Sequence, residues 1–143
     1  MRKVLIILIL NLLLGSVAIA QTLTSEEIKG RWSVVRVLEF IEESGDSEQG
    51  NAFEDMRAAF LEAEYVFGDN NQFALIMDYK QFAIENGYWV YDELEKKVSI
   101  REWKKNKQKP GKSIMKIKLE KAGDKIILIM DTTGIVFQIE KKA

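Results

Sequence analysis

The chain has 143 residues, with 21 basic and 22 acidic side chains, so its formal net charge at pH 7 is −1. It contains no histidine and no cysteine, which excludes a Ser-His-Asp triad, a cysteine nucleophile, a disulfide and a zinc site of Cys and His ligands. The near-zero net charge argues against nucleic-acid binding, because nucleic-acid-binding proteins usually carry a strong basic excess.

The first twenty residues have the pattern of a secretory signal peptide. Arg2 and Lys3 precede an apolar run over residues 4–14, and small residues then lead to the Ala-x-Ala site that ends at Ala20. A membrane-spanning helix needs about 20 apolar residues, whereas this run is shorter and Asn11 interrupts it. We therefore predict a signal peptide over residues 1–20 and export of residues 21–143, as a single domain, to the periplasm or the medium.

Two segments are predicted to be helical. The first covers residues 24–29, because Thr24 is a good capping residue, two acids follow it, and Gly30 ends the segment. The second covers about residues 51–62, where Phe53, Met56 and Phe60 recur on one face at helical spacing. This second helix falls between the first two predicted strands.

Nine short strands are predicted, because β-branched and aromatic residues recur in short runs with polar or glycine-containing breaks between them. In chain order they cover residues 31–41, 63–67, 72–78, 81–85, 88–92, 97–103, 113–120, 125–131 and 135–140. Asn86-Gly87, between the fourth and fifth, is a strong signal for a two-residue hairpin. Strands that each follow their neighbour in sequence favour an all-β fold, a single antiparallel up-and-down barrel without exposed sheet edges.

Three short motifs occur in order along the chain. Gly30-Arg31-Trp32 opens the first strand, residues 67–73 read FGDNNQF, and residues 87–92 read GYWVYD. In this order the motifs resemble those of the calycin superfamily, and in particular small secreted bacterial lipocalin-like domains. The resemblance covers nearly all of the chain after the predicted signal peptide.

The resemblance implies an eight-stranded barrel whose closed base is filled by Trp32, with the second helix in the first inter-strand loop. Lipocalins place an arginine over this tryptophan, near the end of the last strand. In this chain that region reads Glu140-Lys141-Lys142, so only a lysine could take the place of the arginine.

Strand alternation predicts which side chains point into the barrel lumen. If Trp32 points inward, Arg36 and Leu38 also do so, unless a bulge intervenes. Arg36 either grips the carboxylate of a ligand or points outward or bonds an internal glutamate, because an unpaired buried guanidinium is costly. Trp89 and Tyr91 share one strand face, where they either line a pocket or simply pack the core. The candidate ligand-binding residues are Arg36, Leu38, Tyr65, Phe73, Trp89, Tyr91 and Phe137.

The resemblance implies a non-catalytic, exported protein that holds a small apolar or amphipathic molecule in the lumen. The alternative is a protein-interaction or inhibitor module with a filled core that acts through its loops. No nucleophile elbow or phosphate loop occurs, so we predict neither an enzyme nor a cofactor or metal site. The lysine-rich segment over residues 104–112 either attracts a polyanion or is a solvated turn.

Overall fold

The structure, a computed structural model, describes residues 21–39, 47–131 and 133–143, and the side chains of residues 47–53 are not described. The predicted signal peptide and its cleavage point lie outside these residues. The elements, in chain order, are β1 (Gln21–Thr22), α1 (Ser25–Ile28), β2 (Gly30–Glu39), α2 (Ser47–Leu61), β3 (Glu64–Phe67), β4 (Gln72–Ile76), β5 (Ile84–Asp92), β6 (Lys97–Lys104), β7 (Lys109–Ala122), β8 (Lys125–Met130) and β9 (Val136–Lys141).

Strands β2 to β9 form a closed, eight-stranded antiparallel barrel. Each strand pairs with the next in sequence, and β9 returns to pair with β2, where Val34 lies opposite Ile139. The short β1 adds to β7 as a ninth strand, with Thr22 opposite Glu120. Closure pairs the backbone groups that an open sheet would leave at its edges. The prediction of an all-β, up-and-down barrel with a short N-terminal helix and a helix in the first inter-strand loop is confirmed.

The two helices form where capping and apolar spacing predicted them. The hydroxyl of Thr24 accepts a hydrogen bond from the backbone N–H of Glu27 at 3.3 Å, which caps α1. Helix α2 begins earlier than predicted, at Ser47. Phe60 of α2 is 2 % exposed, and Met56 packs against the same core, so the apolar face of the helix is directed at the barrel. The side chain of Phe53 lies outside the described residues.

The predicted hairpin at Asn86-Gly87 is wrong, because both residues lie inside the continuous strand β5. A type I′ turn requires positive φ at both central residues, and neither residue has one. Gly87 lies opposite Phe73, and a Cβ at this position would come within 3.0 Å of the Phe73 ring. The glycine therefore makes room for an aromatic core residue, and the chain reverses between β4 and β5 instead.

The closed base of the barrel is built around Trp32. Its indole Nε1 donates a hydrogen bond to the backbone carbonyl of Ile28 at 2.8 Å, which ties α1 to β2. The ammonium of Lys141 lies 5.3 Å from the centre of the Trp32 ring and donates to the backbone carbonyl of Glu27 at 3.2 Å. Lys141 thus takes the position over the tryptophan that the resemblance gives to an arginine.

The close approach of Lys141 also explains the glycine of the first motif. Gly30 has a φ of +132°, a value that side-chain-bearing residues rarely adopt. A Cβ on Gly30 would lie 2.5 Å from Cε of Lys141. The backbone conformation therefore requires glycine at the start of the strand that carries Trp32, and a Cβ there would also force the flexible end of Lys141 to shift.

An ion-pair cluster on the outer face joins β2, β3 and the C-terminal segment. The carboxylate of Glu64 accepts hydrogen bonds from Arg31 of β2 and from Lys142, the latter at 2.6 Å. These bonds, with Lys142 as the larger cause, lower the pKa of Glu64 below its usual value. The backbone N–H of Lys142 also donates to the carbonyl of Arg31 at 2.8 Å. The C-terminal segment is therefore held to β2 and β3 by several polar bonds.

Candidate functional site

The barrel interior brings together four of the seven predicted ligand-binding residues. Tyr65, Phe73, Trp89 and Phe137 are each 0–2 % exposed and belong to one continuous core. The rings of Tyr65 and Phe73 lie 6.5 Å apart. Phe67, which the sequence analysis did not select, lies between this pair and Trp89, with ring centres 5.1 Å from Phe73 and 5.7 Å from Trp89. The alternation of β3 could have identified Phe67 as an interior residue, because Phe67 shares a strand face with Tyr65.

The structure places Arg36 and Leu38 outside the lumen, because the bulge that would reverse their orientation is present. Arg36 therefore takes the outward alternative, and neither residue can contact a ligand in the lumen. The register between β2 and β9 shifts between Val34 and Arg36, and again between Val37 and Glu39. The first shift reverses the alternation, so that Val37 is buried while Arg36 and Leu38 are exposed. The second shift leaves Leu38 and Glu39 both exposed. The guanidinium of Arg36 donates to the side-chain carbonyl of Gln138 at 3.2 Å on the outer face.

Tyr91 occupies an intermediate position. It is half-buried and packs against the core, and it lines a recess of about 290 Å³ outside the barrel, together with Trp89 and Asn71. The amide of Asn71 donates to the backbone carbonyl of Trp89 at 3.0 Å. Tyr91 therefore does not join Tyr65 and Phe73 as a fully enclosed residue.

Side chains fill the lumen around its most enclosed residues. Five residues on five different strands expose 0 % of their surface: Tyr65, Ile100, Ile117, Leu128 and Phe137. A void large enough for a water molecule would expose part of the side chains around it, and these expose none. An eight-stranded barrel has an interior that side chains can fill completely. The described interior therefore leaves no room for a ligand against these residues.

Tyr65 carries the one buried polar side-chain atom without a hydrogen-bond partner in the described part of the chain. Its hydroxyl lies among apolar core residues, and this burial raises the pKa of Tyr65 well above its usual value. A buried hydroxyl without a partner loses its bonds to water and gains nothing in return. The Tyr65 hydroxyl is thus the polar feature of an otherwise apolar interior.

Helix α2 closes the barrel through Phe60, whose ring centre lies 5.2 Å from that of Phe137. Apolar side chains remain exposed beside this contact. Phe82 lies 6.0 Å from Phe60 and stacks on Tyr79 at 5.6 Å. We call the exposed apolar residues at the ends of α2 and β4 and in the β4–β5 turn the α2-end patch; it consists of Leu61 (41 % exposed), Ile76 (52 %), Phe82 (41 %) and the half-buried Tyr79. Ring contacts join Phe82 to Tyr79 and Phe60, and Ile76 lies opposite Glu64 on the outer face.

A second surface feature lies on the outer face of strands β3 to β6. It is a groove of about 610 Å³, within the range of small-molecule sites, which is about 300–1,000 Å³. Its floor is low, because Val66 and Ala74 present short side chains from a register pair of β3 and β4. Its wall is tall, because Tyr88 of β5 and Trp103 of β6 stack on each other with ring centres 5.4 Å apart.

Polar side chains without internal partners surround this groove. Asn70, Gln72, Glu85 and Asn86 line it, and none of them forms a side-chain hydrogen bond to another described residue. The indole N–H of Trp103 also has no partner in the described regions, whereas those of Trp32 and Trp89 are bonded to backbone carbonyls. The sequence analysis missed this site, although alternation places Tyr88 on the face opposite Trp89.

Comparison with protein-family models, with curated proteins and with solved structures finds no match to this chain. Among the described residues, no helix has both the length and the apolar character needed to cross a membrane. The same residues contain no cluster of three or more acidic side chains that could hold a metal ion. Function must therefore be argued from the interior and from the two surface features.

Proposed function

We propose that this chain is an exported, non-catalytic interaction module with a lipocalin-like barrel, which binds a protein partner through its outer surface. The observation that supports this proposal is the filled lumen, where five core residues on five strands expose none of their surface. The alternation of residues, the Gly30 and Trp32 motif and the lysine over the tryptophan support the lipocalin-like assignment. The charged residues and apolar run at the N-terminus support export.

The α2-end patch is the surface that fits a protein partner. Exposed apolar side chains scattered singly are ordinary, but a group that includes stacked aromatic rings is typical of interaction sites. Phe82 and Tyr79 form such a stack, and Phe60 beneath them anchors it to the core. A partner that covers Phe82, Ile76 and Leu61 would remove apolar area from water at a rigidly supported position.

Site-specific photocrosslinking tests this proposal in the producing cell. A photoreactive phenylalanine analogue replaces Phe82 in the full chain, and a matched strain carries it at Leu94, which is 96 % exposed in the β5–β6 turn. We expect one discrete cross-linked protein from position 82 and none from position 94. Identical products from both positions, or no product from position 82, would contradict the proposal.

A ligand inside the barrel is the second candidate, and the Tyr65 hydroxyl favours it. That hydroxyl lacks a partner, and a polar end of an amphipathic molecule could supply one. Entry would require Phe60 and α2 to move away from Phe137. If this candidate is correct, Tyr65→Phe weakens uptake of a fatty acid by at least tenfold and leaves the fold intact. Absence of fatty-acid uptake by the unaltered protein would rule it out.

A further inference from the structure

We propose that the groove between Ala74 and the Tyr88–Trp103 stack is a carbohydrate-binding site that takes a sugar ring of a neutral glycan. This goes beyond the proposed function, because the groove shares no lining residue with the α2-end patch. The side chains used in the argument, those of Val66, Ala74, Tyr88 and Trp103, lie on the outer face, while Phe73 lines the groove from the core.

The shape of the groove suits a flat ring. The stacked Tyr88 and Trp103 form a tall aromatic wall beside the low floor of Val66 and Ala74. A pyranose ring carries C–H groups on its faces, and these pack favourably against the electron-rich face of an aromatic ring. The aromatic wall therefore gives one face of a sugar an apolar surface.

The polar rim suits the hydroxyl groups at the edge of such a ring. Each sugar hydroxyl is both a donor and an acceptor, and the amides of Gln72 and Asn86 each offer both functions. The carboxylate of Glu85 offers strong acceptors, and the indole N–H of Trp103 offers a donor. None of these groups forms a side-chain bond to another described residue, so all are available to a ligand.

The same residues disfavour the other ligand classes. The groove lining contains Glu85 and no lysine or arginine, so the lining itself gives a phosphate no cationic partner. Cations border the groove, with Arg101 opposite Tyr88 and a lysine on each side of Gln108, and the adenosine monophosphate probe below therefore tests anion binding. A fatty chain would cover the amides of Gln72 and Asn86 and leave them without hydrogen bonds, which costs free energy. A molecule with an apolar face and a hydroxylated edge satisfies both halves of the site.

Nuclear magnetic resonance of the three indole N–H groups tests the proposal directly. The ¹⁵N-labelled protein is titrated with cellohexaose, xylohexaose, laminarihexaose, maltohexaose and chitohexaose, with adenosine monophosphate and a fatty acid as comparison probes. We expect at least one hexasaccharide to shift the Trp103 indole signal in a saturable way. The Trp32 signal should stay in place, because its indole is bonded to Ile28, which does not line the groove. The Trp89 indole donates to Gly68, which does line the groove, so its signal reports on the site and is not a control.

Two variants separate loss of the site from loss of the fold. Trp103→Ala should lower the affinity for the active glycan at least tenfold while the Trp32 signal remains, which shows that the barrel is intact. Glu85→Ala should lower it several-fold without touching the aromatic wall. Phe82→Ala, in the α2-end patch, is the matched aromatic control and should bind the glycan as the unaltered protein does.

The proposal is overturned if no hexasaccharide shifts the Trp103 signal at millimolar concentration. It is also overturned if adenosine monophosphate or the fatty acid is the only probe to do so, or if Trp103→Ala binds the glycan unchanged. Failure here leaves the crosslink at position 82 unaffected, and failure of that crosslink leaves the Trp103 signal unaffected, so the two proposals can be told apart.

Discussion

The two ends of the barrel are closed in different ways. At the base, Trp32 is fixed by a hydrogen bond to Ile28 and by the overlying Lys141, whose ammonium also donates to the backbone carbonyl of Glu27. At the other end, among the residues that the structure describes, the ring of Phe60 in α2 contacts that of Phe137 and closes the barrel. The base therefore depends on directional polar bonds as well as burial, whereas the α2 end depends on aromatic packing. The α2 end also exposes an aromatic stack, Phe82 on Tyr79, whereas the most exposed apolar residue at the other end is Leu94.

The largest expected effect comes from truncating the two aromatic side chains that close the barrel ends, Trp32 and Phe60. Trp32→Ala should lower the free energy of unfolding by about 3–5 kcal/mol, because it leaves a cavity among fixed neighbours. Phe60→Ala should cost less, about 2–3 kcal/mol, because α2 contributes no strand to the sheet and can relax into the space. Urea unfolding followed by circular dichroism measures both values. Equal costs would show that the two ends are fastened equally well.

A backbone substitution at the base should have the next largest effect. Gly30→Ala should destabilise the fold by about 2 kcal/mol, because its φ is unfavourable and the new methyl group would strike Lys141. Gly123→Ala is the matched control: its φ is +66° and no atom lies within 4 Å of the added Cβ. We expect about 1 kcal/mol there, from the backbone conformation alone. A smaller loss at Gly30 than at Gly123 would contradict the greater backbone and contact strain assigned to Gly30.

The ion pairs of Glu64 should make the stability of the folded protein depend on pH. The pKa of Glu64 is lowered in the folded protein, so its contribution is present above the unfolded pKa of about 4.3 and disappears as the pH falls through the folded pKa. Glu64→Gln should therefore cost about 1 kcal/mol at pH 7, and the difference from the unaltered protein should shrink on acidification.

Unfolding of both proteins at several pH values measures this difference. Glu95→Gln is the control, because Glu95 forms an exposed ion pair with Lys116, and such pairs contribute little. A Glu64→Gln penalty that persists unchanged in acid would contradict the electrostatic explanation.

The smallest expected effect is at the unpaired hydroxyl of the core. Tyr65→Phe removes a buried polar atom without a partner, so it should be neutral or should raise the free energy of unfolding by up to about 1 kcal/mol. Thermal unfolding of the two proteins tests this directly. A clear destabilisation would mean that the hydroxyl has a partner in solution, such as a bound molecule.

The closed barrel could be predicted from sequence because its signals are local. Alternating runs define most of the strands. Apolar residues at helical spacing place Met56 and Phe60 on one face of α2. Gly30 with Trp32 identifies the base. The positions of Arg36 and Leu38 could not be predicted. Their orientation depends on two bulges, which are set by how β2 pairs with β9 about a hundred residues later.

The outer groove could not be predicted from the sequence for a similar reason. Tyr88 could be placed on the outer face by alternation, but its stacking with Trp103 depends on the register between β5 and β6. The hairpin prediction at Asn86-Gly87 failed because a contact distant in sequence, with Phe73, decided the conformation of Gly87. Local patterns therefore predicted the elements, while strand register determined which side chains meet.

Native mass spectrometry of the exported protein tests the filled barrel most directly. The protein is purified without denaturation from the compartment to which it is exported and is also incubated with a panel of fatty acids and sterols. The account predicts the mass of the bare polypeptide in both samples, because the core side chains leave no room beside them. A reproducible adduct of a few hundred daltons that is lost on mild denaturation, and is weakened by Tyr65→Phe, would contradict it and establish a ligand in the lumen.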